Sequence, residues 1–200
     1  MLDRSIPFYN TILRCDDYQP KDIFLPQGYS IVPYKVGYEK EWARLEFSIG
    51  DFDSLSEAES YFISTYTHDN DRLFQNVRFL LNENNEVIGS CIAWQDKRKD
   101  AYVSSLHWLI VDPKYQGLGF GRALCCDIMN IFAEQNALPI YLHTQPWSWK
   151  AILLYLSMGF KLQSTDTFAQ YTNEYEKAIK TLKNIVSDEQ FKVLIESTTN

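Results

Sequence analysis

The segment from Val111 to Ala123 carries the residue types and spacing best suited to chemistry. It reads Val-Asp-Pro-Lys-Tyr-Gln-Gly-Leu-Gly-Phe-Gly-Arg-Ala, so three glycines at alternate positions precede a helical pattern. Glycine allows close backbone approach and unusual φ and ψ angles, and the first N–H groups of a helix have no partner within it. Because these donors lie at the positive end of the helix dipole, the segment predicts a site for a phosphate or pyrophosphate group.

The glycine spacing excludes two familiar phosphate-binding motifs. A dinucleotide fingerprint that started at Gly117 would need a glycine where the sequence has Arg122, and a Walker loop would need Gly-Lys-Ser/Thr, which is absent. The remaining pattern is Gln-x-x-Gly-x-Gly, from Gln116 through Gly119 to Gly121. Taken alone, this pattern is also typical of a simple tight turn.

A second segment, from Ser148 to Phe160, gives the first one its context. It reads Ser-Trp-Lys-Ala-Ile-Leu-Leu-Tyr-Leu-Ser-Met-Gly-Phe and contains Ala-x-x-Leu-Tyr-x-x-x-Gly-Phe. Together with the Gln-Gly-Leu-Gly-Phe-Gly turn, it resembles the GNAT superfamily of acyl-CoA-dependent N-acetyltransferases. The resemblance extends from about Gly28 to about Thr165, which is roughly two thirds of the chain.

The resemblance implies acetyl-CoA as cosubstrate. In that family the glycine-rich turn holds the CoA pyrophosphate through backbone N–H groups, and the end of the preceding strand pairs with the pantetheine arm. The strand end corresponds to Leu109, Ile110 and Val111. The turn corresponds to Gln116, Gly117, Leu118, Gly119, Phe120 and Gly121, with Arg122 beginning the helix. Ser148 stands where many members carry an Asn that contacts the cofactor, so we expect a hydrogen bond from its shorter side chain.

Tyr155 is the candidate general acid. It matches the tyrosine that, in this family, lies near the thioester sulfur and often protonates the leaving thiolate. Tyr155 also falls on the apolar stripe of its predicted helix, which is typical of a core residue. We therefore favour the role of general acid and keep core packing as the alternative.

The general base is less clear because many members carry a Glu on the central strand, where this sequence has Ser104, Ser105 and His107. His107 is the best base among them because imidazole changes its protonation near neutral pH. In a regular strand, His107 would share a face with Leu109 and Val111. The alternative is a structural His107, with a relay of water molecules deprotonating the amine.

The acceptor is expected beside the first two predicted helices, which frame it in many members of the family. Lys40 and Arg44 stand there among seven acidic residues, namely Glu39, Glu41, Glu46, Asp51, Asp53, Glu57 and Glu59. An acidic wall would attract a cationic amine, but for most of these residues we favour a solvated helix face as the interpretation. Phe52, Trp147 and Trp149 are candidates for an aromatic pocket, with core packing favoured for Trp147.

Composition and charge exclude several classes of function. The 200 residues are 46% hydrophobic and 15% aromatic, which indicates a folded domain and not a disordered chain. The 19 basic and 26 acidic residues give a net charge of −7, which argues against a generic nucleic-acid binder or an anionic-membrane binder. No apolar run reaches the ~20 residues of a membrane span. Because the first residues also lack the order of a signal peptide, we expect a cytoplasmic protein.

The cysteines and histidines indicate no metal site. The four cysteines, at positions 15, 91, 125 and 126, show no Cys-x-x-Cys spacing, and the three histidines show no metal-ligand spacing. We therefore expect the cysteines to be buried packing residues in a reducing compartment.

Apolar periodicity predicts the elements that position these residues. Strands are predicted over Gly28–Lys35, Val77–Leu81, Glu86–Trp94, Ala101–Val111 and Pro139–Thr144, and from Phe160 onward. Helices are predicted over Glu39–Phe47, Ser54–Thr65, Gly119–Ala137 and Trp147–Met158, with two more after Asn173, the last capped by Ser187. The fold class is therefore α/β (mixed α+β): a single domain with a central mixed β-sheet flanked by helices and a C-terminal helical tail. The order of the elements matches the GNAT-like domain that the resemblance implies. Residues 1–27 are predicted as an irregular arm, 28–165 as the acetyltransferase domain and 166–200 as a helical extension packed on it.

The leading hypothesis is an N-acetyltransferase that transfers the acetyl group of acetyl-CoA to a primary amine by direct attack. The acceptor is a small-molecule amine or a peptide or protein amine, no nucleic acid or membrane partner is expected, and a homodimer is left open. The alternatives are an acyl-CoA-binding sensor without transfer activity and a partner-binding scaffold. The sensor shares the glycine-rich turn, whereas the scaffold predicts no response to acetyl-CoA.

Overall fold

The computed structural model describes residues 3–200. Within that range eight strands form: β1 Thr11–Cys15, β2 Ser30–Pro33, β3 Val77–Leu81, β4 Val87–Arg98, β5 Ala101–Val111, β6 Ile140–Thr144, β7 Lys161–Gln163 and β8 Thr198–Thr199. The seven α-helices over the same range are α1 Tyr38–Ile49, α2 Leu55–Tyr66, α3 Asn70–Asn76, α4 Phe120–Glu134, α5 Trp149–Ser157, α6 Tyr175–Lys183 and α7 Asp188–Glu196. Two short 3₁₀ turns span Pro113–Tyr115 and Pro146–Ser148.

The strands form one mixed sheet, in the order β2-β3-β4-β5-β6-β1-β7-β8. β5 pairs with β6 and β7 pairs with β8 in parallel. β1 pairs antiparallel with both β6 and β7, as do β2 with β3 and β3 with β4. The predicted fold class, a mixed α/β domain with a helical C-terminal tail, is confirmed.

The chain divides into two compact units. The first comprises residues 20–93 and 106–131, and the second comprises residues 3–19, 94–105 and 132–200. Two strands contribute to both units, because β4 divides after Ala93 and β5 divides after Ser105.

Helices α1 and α2 of the first unit follow from local sequence signals. α1 buries Trp42 and ends at Gly50, whose φ of 88° lies in the left-handed region that favours glycine. α2 begins after Ser54, whose hydroxyl accepts a hydrogen bond from the N–H of Glu57 at 3.1 Å. The Glu57 carboxylate accepts from the N–H of Asp53 at 3.0 Å, so the predicted capping box closes one residue earlier than its usual form.

Helix α3 has no counterpart among the predicted elements. Its sequence is mostly polar, so no apolar period marks it. The local signal is Asp69, whose carboxylate accepts a hydrogen bond from the N–H of Arg72 at 3.0 Å and so caps the helix. The helix leads directly into β3, whose bounds agree with the prediction.

The prediction that residues 1–27 form an irregular arm is wrong for Thr11–Cys15, which form β1 of the second unit. β1 pairs on both sides, and Leu13 stands opposite Leu142 of β6 and Leu162 of β7. Four of its five residues are buried, so β1 lacks the alternation of apolar and polar residues that marks a strand with one exposed face. Residues 1 and 2 lie outside the described residues.

The C-terminal segment adds helices and a short strand to the second unit. Ser187 caps α7 as predicted, and it shares a reciprocal capping box with Gln190. β8 was not predicted because two residues carry no periodicity. It is fixed by hydrogen bonds from the N–H of Leu162 to Ser197 O at 2.9 Å and from the N–H of Ser164 to Thr199 O at 2.8 Å. The division of the chain at residues 27 and 165 stays a prediction.

Helix α5 begins two residues later than predicted. Trp147 lies in the 3₁₀ turn Pro146–Ser148 and not on the helix stripe, because the chain enters the helix through Pro146. The helix ends before Gly159, whose φ of 102° confirms the predicted left-handed stop.

Candidate active site

The glycine-rich turn of the first unit lies between β5 and α4. Gly117 has a φ of 82° and Gly119 has a φ of 86°, so both adopt the left-handed region. A Cβ atom at either position would meet no atom within 4 Å, so glycine is required here by the backbone angle and not by lack of space. The N–H of Ala123 donates to Gly119 O at 3.0 Å, and this hydrogen bond closes the first turn of α4.

Side chains on both flanks hold the turn in place. The amide of Gln116 donates to Val111 O at 3.0 Å and so ties the turn to the end of β5. The hydroxyl of Tyr115 accepts a hydrogen bond from the amide of Asn82 at 3.0 Å, and Asn82 lies in the turn between β3 and β4. The turn is therefore anchored before any ligand arrives.

The other predicted turn residues divide into buried and exposed ones. Phe120 is buried and stacks on Tyr29 with ring centroids 4.7 Å apart, so it offers its backbone and not its side chain to a ligand. Leu118 is 62% exposed, and Arg122 is exposed at the start of α4. The turn thus presents backbone donors with one guanidinium beside them.

The end of β5 departs from a regular strand at Trp108, whose φ is 48°. The described pairing of β5 with β6 covers Ser104↔Ile140 and Ser105↔Tyr141, whereas β5 itself continues to Val111. The irregularity interrupts the alternation of faces just before Ile110 and Val111, which are both buried. The prediction that His107, Leu109 and Val111 share a face assumed a regular strand, and Trp108 removes that assumption.

His107 contacts a buried tyrosine of α2. Its Nδ1 lies 2.9 Å from the hydroxyl of Tyr66, which is fully buried. If Nδ1–H donates to the Tyr66 oxygen, Nε2 keeps a lone pair, and if the Tyr66 hydroxyl donates to Nδ1, the proton of a neutral ring lies on Nε2. Only the first arrangement leaves a nitrogen that can take a proton.

Tyr155 and Ser148 belong to the second unit, whereas His107, the strand end and the glycine-rich turn belong to the first. Tyr155 is buried in α5, and its ring stands nearly edge-on to Phe160 at 5.9 Å between centroids. Ser148 accepts a hydrogen bond from the amide of Gln145 at 3.0 Å, so its hydroxyl is oriented within the loop before α5.

Part of the predicted acidic wall serves the local fold. Glu39 accepts hydrogen bonds from the Tyr34 hydroxyl at 2.6 Å and the Gly37 N–H at 2.9 Å. Burial raises the pKa of Glu39, but these hydrogen bonds outweigh it and leave the pKa below its ordinary value. Glu41 pairs with Arg44 at 2.8 Å on the surface of α1. These carboxylates are therefore partnered and not free to bind an acceptor.

Glu46 differs from the others because it is 1% exposed. Its Oε1 has no hydrogen-bond partner among the described residues. Burial, with a smaller contribution from the nearby Asp51 carboxylate, raises the pKa of Glu46 well above its ordinary value. The sequence places Glu46 among the acidic residues, but no local signal marks it as buried.

A cluster of aromatic rings on the first unit was only partly predicted. Phe52 is a member, as expected, with Trp42, Tyr61 and Trp108, which the sequence did not single out. Trp147 is not a member, because in the second unit it packs against Phe8 and the guanidinium of Arg4. Trp149 contacts the ammonium of Lys150 instead, at 5.5 Å. The predicted aromatic set therefore does not form one cluster.

The cysteines are buried thiols, as predicted. Burial raises the pKa of the Cys91 thiol well above its ordinary value, which disfavours the reactive thiolate. Over residues 3–200, no group of three or more His, Cys, Asp or Glu side chains is placed to hold a metal ion. No helix in that range has both the length and the apolar character that a membrane crossing requires.

Comparison with known proteins defines the class to which this fold and site belong. The sequence model of the Acetyltransferase (GNAT) family matches residues 39–160, which include all but the first residue of α1, the glycine-rich turn and Tyr155. Because this match covers more than half of the chain, the protein belongs to the GNAT acetyltransferase family. Among curated protein sequences, none matches the chain.

Solved structures share this fold at low sequence identity. A GCN5-related N-acetyltransferase from Sphaerobacter thermophilus matches with a TM-score of 0.61 and 14% identity over 78% of this chain, which spans about half (48%) of that protein. Arabidopsis thaliana Naa50, in complex with the bisubstrate analogue CoA-Ac-MVNAL, matches with a TM-score of 0.51 and 20% identity, over 66% of this chain and 82% of its own. Glucosamine-6-phosphate N-acetyltransferase from the same plant matches with a TM-score of 0.52 and 12% identity, over 74% and 98%. At these identities the likeness shows the fold alone.

Proposed function

We propose that the protein transfers the acetyl group of acetyl-CoA to a primary amine by direct attack. The observation that carries this proposal is the glycine-rich turn, in which Gly117 and Gly119 adopt left-handed angles immediately before α4. Such a turn directs backbone N–H groups toward one point in front of a helix N-terminus, which suits a pyrophosphate. Family membership and the CoA-containing analogue bound to Naa50 support acetyl-CoA as the ligand.

The residues predicted for cofactor binding have distinct roles in this proposal. Backbone N–H groups of residues 117–122 hold the pyrophosphate, and the Arg122 guanidinium adds a positive charge beside it. The end of β5, residues 109–111, pairs with the pantetheine arm through its backbone. Ser148 donates its hydroxyl proton to the cofactor while its oxygen still accepts from the Gln145 amide.

The transfer needs three changes at the reacting atoms. The amine, with a pKa of about 10.4 as an ammonium, must lose a proton before its nitrogen can bond to the thioester carbonyl carbon. The carbonyl oxygen then carries negative charge, which a backbone N–H of β5 stabilises. Finally the C–S bond breaks as Tyr155 gives its proton to the departing thiolate, whose thiol has a pKa of roughly 8.5 by analogy with cysteine. The nitrogen loses its second proton as the amide forms, and this proton restores the Tyr155 hydroxyl.

His107 takes the proton of the amine in this proposal. The role requires the tautomer in which Nδ1–H donates to Tyr66, because that arrangement leaves Nε2 able to accept. Tyr66 then acts as a positioning residue that selects the basic tautomer. A water molecule between the amine and Nε2 is compatible with the same assignment.

The reaction is tested by following thiol release from acetyl-CoA with a panel of primary amines, and by weighing the product. The proposal expects one thiol released for each acetyl group gained by the amine, whose mass rises by the mass of that group. Thiol release without an acetylated amine would indicate simple hydrolysis and would contradict the proposal. Acetyl-CoA binding without any turnover would favour a sensor, for which the same turn suffices.

A further inference from the structure

We infer that the aromatic cluster of the first unit is the acceptor site, and that it takes a primary amine attached to an apolar, aromatic body. We call the rings of Trp42, Phe52, Tyr61 and Trp108 the Trp108 cluster. The inference rests on the proposed function, because it names the class of amine that the proposed acetyl transfer would use.

The four rings contact one another in a compact group. Trp108 lies edge-on to Trp42 at 5.4 Å between centroids, and it lies 5.7 Å from Phe52 and 5.4 Å from Tyr61. Trp42 is also 5.7 Å from Phe52 and 6.0 Å from Tyr61. The rings come from α1, the turn after it, α2 and β5, so side chains from four parts of the chain meet at one place.

The Trp108 cluster is open on one side. Phe52, Tyr61 and Trp108 are half-buried, whereas Trp42 beneath them is fully buried. An apolar ligand that covers a partly exposed aromatic face removes apolar surface from water, which favours binding. The cluster therefore offers both a floor and exposed rings to an apolar group.

Trp108 adopts a backbone angle that bulky residues rarely use. Its φ of 48° costs conformational energy and interrupts β5 beside His107, the proposed base. The same irregular stretch of β5 thus brings the proposed base and the centre of the cluster to adjacent positions in the chain. This relation is expected if the amine end of a ligand must reach His107 while its body lies on Trp108.

Two buried polar atoms beside the cluster have no partner among the described residues. They are Nε1 of Trp42 and Oε1 of Glu46, on residues one helical turn apart on the same face of α1. The backbone carbonyl of Glu46 accepts from the N–H of Asp51, so the following turn folds over the end of α1 and brings Phe52 against Trp42. Buried polar groups are usually hydrogen-bonded, and leaving one unpaired destabilises the fold. We assign the Glu46 carboxyl as the hydrogen-bond acceptor for the ammonium or amine group of the acceptor molecule. That group donates hydrogen bonds and carries no negative charge.

The charges around the cluster select among acceptors. Glu46 and Asp51 lie at the end of α1, and the nearby Arg44 is already engaged with Glu41 and with the Val87 carbonyl. A cation is attracted by the Asp51 carboxylate and by aromatic faces, and it favours the charged form of the Glu46 carboxyl. A phosphorylated sugar would instead bring negative charge toward Asp51 and the buried Glu46 carboxyl. An apolar amine fits the site on both grounds.

The experiment compares three acceptors with the full chain and acetyl-CoA: phenethylamine, glucosamine-6-phosphate and a short peptide with a free N-terminus. We expect kcat/KM for phenethylamine to exceed the other two by tenfold or more. Phe52→Ala should raise its KM about tenfold, because the lost ring contact is worth at least one order of magnitude in affinity. Glu46→Gln should also raise the KM for phenethylamine about tenfold, because it replaces the carboxyl with an amide of similar shape. Phe47→Ala is the matched control, since Phe47 lies on α1 with an exposed ring and outside the cluster.

A second readout needs no turnover. Phenethylamine should change the tryptophan fluorescence of the protein, and Phe52→Ala should weaken that titration about tenfold while the acetyl-CoA affinity stays unchanged. Preference for the sugar phosphate or the peptide, with a KM that Phe52→Ala leaves unaltered, would overturn the inference and leave the proposed function standing. If no acceptor is acetylated, the fluorescence titration decides: binding weakened by Phe52→Ala supports the inference, and no binding overturns it. If acetyl-CoA neither binds nor reacts, the proposed function fails and the inference fails with it.

Discussion

The hydroxyl of Tyr66 lies 2.9 Å from Nδ1 of His107, so a buried residue of α2 is hydrogen-bonded to the one imidazole on β5. Tyr66 is fully buried and therefore holds its hydroxyl in a fixed position. This contact couples the helix that carries Tyr61 of the Trp108 cluster to the strand that carries the proposed base. It gives the first prediction.

Replacing Tyr66 by Phe removes the hydroxyl and keeps the ring. If Tyr66 selects the basic tautomer of His107, kcat should fall up to about tenfold, since one hydrogen bond contributes about 0.5–1.5 kcal/mol. The acidic limb of the pH profile of kcat should move as well, which a packing role would not cause. Tyr102→Phe is the control because Tyr102 is 70% exposed on β5. Should His107→Ala retain the parental kcat with chemistry rate-limiting, His107 is not the base and the role of Tyr66 falls with it.

Replacing Tyr155 by Phe separates the general acid from the core residue. Loss of a general acid should lower kcat by about 10²–10⁴-fold at neutral pH. The difference in kcat between the parent and Tyr155→Phe should become smaller as pH rises, because the thiolate can then leave without being protonated. The acetyl-CoA affinity should persist, since backbone donors at the glycine-rich turn are untouched. Parental turnover in Tyr155→Phe, with chemistry shown to be rate-limiting, would instead make Tyr155 a packing residue.

How much of this site could be predicted depends on how local its signals are. The glycine-rich turn, the Ser187 cap and the stop at Gly159 were predictable because each depends on residues within one helical turn. The Trp108 cluster was not predictable, because its rings come from four segments and meet only in the folded chain. The left-handed angle of Trp108 has no sequence signal at all.

Other features could not be predicted because the sequence does not show which residues are buried. β1 was predicted as irregular because a strand buried on both faces shows no alternation. Glu46 was grouped with solvated carboxylates because a helix position says nothing of what folds over it. Helix α3 was missed for a different reason: its mostly polar sequence has no apolar period, and its local signal is the Asp69 cap.

Asp166 of the second unit should make stability depend on pH. Its carboxylate pairs with Arg98 at 2.6 Å and Arg14 at 3.1 Å and accepts from the Tyr141 hydroxyl at 2.7 Å. Burial raises its pKa, but these partners outweigh burial and lower the pKa from 3.8 to about 2. Because the folded-state pKa is depressed, this stabilisation is present above pH 3.8 and is lost as pH falls toward 2.

Urea unfolding at neutral and acidic pH measures this effect. Asp166→Asn should lower the free energy of unfolding by about 2 kcal/mol or more at neutral pH, and the deficit should shrink toward pH 2. Asp100→Asn is the control because Asp100 is an exposed carboxylate between β4 and β5. A deficit in Asp166→Asn that stays constant between the two pH values would refute the electrostatic explanation.

Leu194 should anchor the C-terminal helix α7. It is fully buried, and α7 leads into β8, which pairs with β7. Leu194→Ala should therefore lower the free energy of unfolding by about 2–5 kcal/mol and should increase proteolysis of the tail. Val193→Ala, at a neighbouring position that is 44% exposed, should cost far less. Equal stability of the two variants in urea would show that α7 is not docked.

The central claim, that the glycine-rich turn binds acetyl-CoA, is tested most directly by calorimetric titration of acetyl-CoA into the parent, Gly119→Glu and Gly37→Glu. Both glycines have a positive φ with open space around the missing Cβ, so the two variants carry a matched backbone cost and a matched charge. The parent and Gly37→Glu should bind acetyl-CoA with similar affinity. Gly119→Glu should lose at least about a hundredfold, because bulk and negative charge would stand beside the pyrophosphate. Parental affinity in a folded Gly119→Glu protein would contradict the claim.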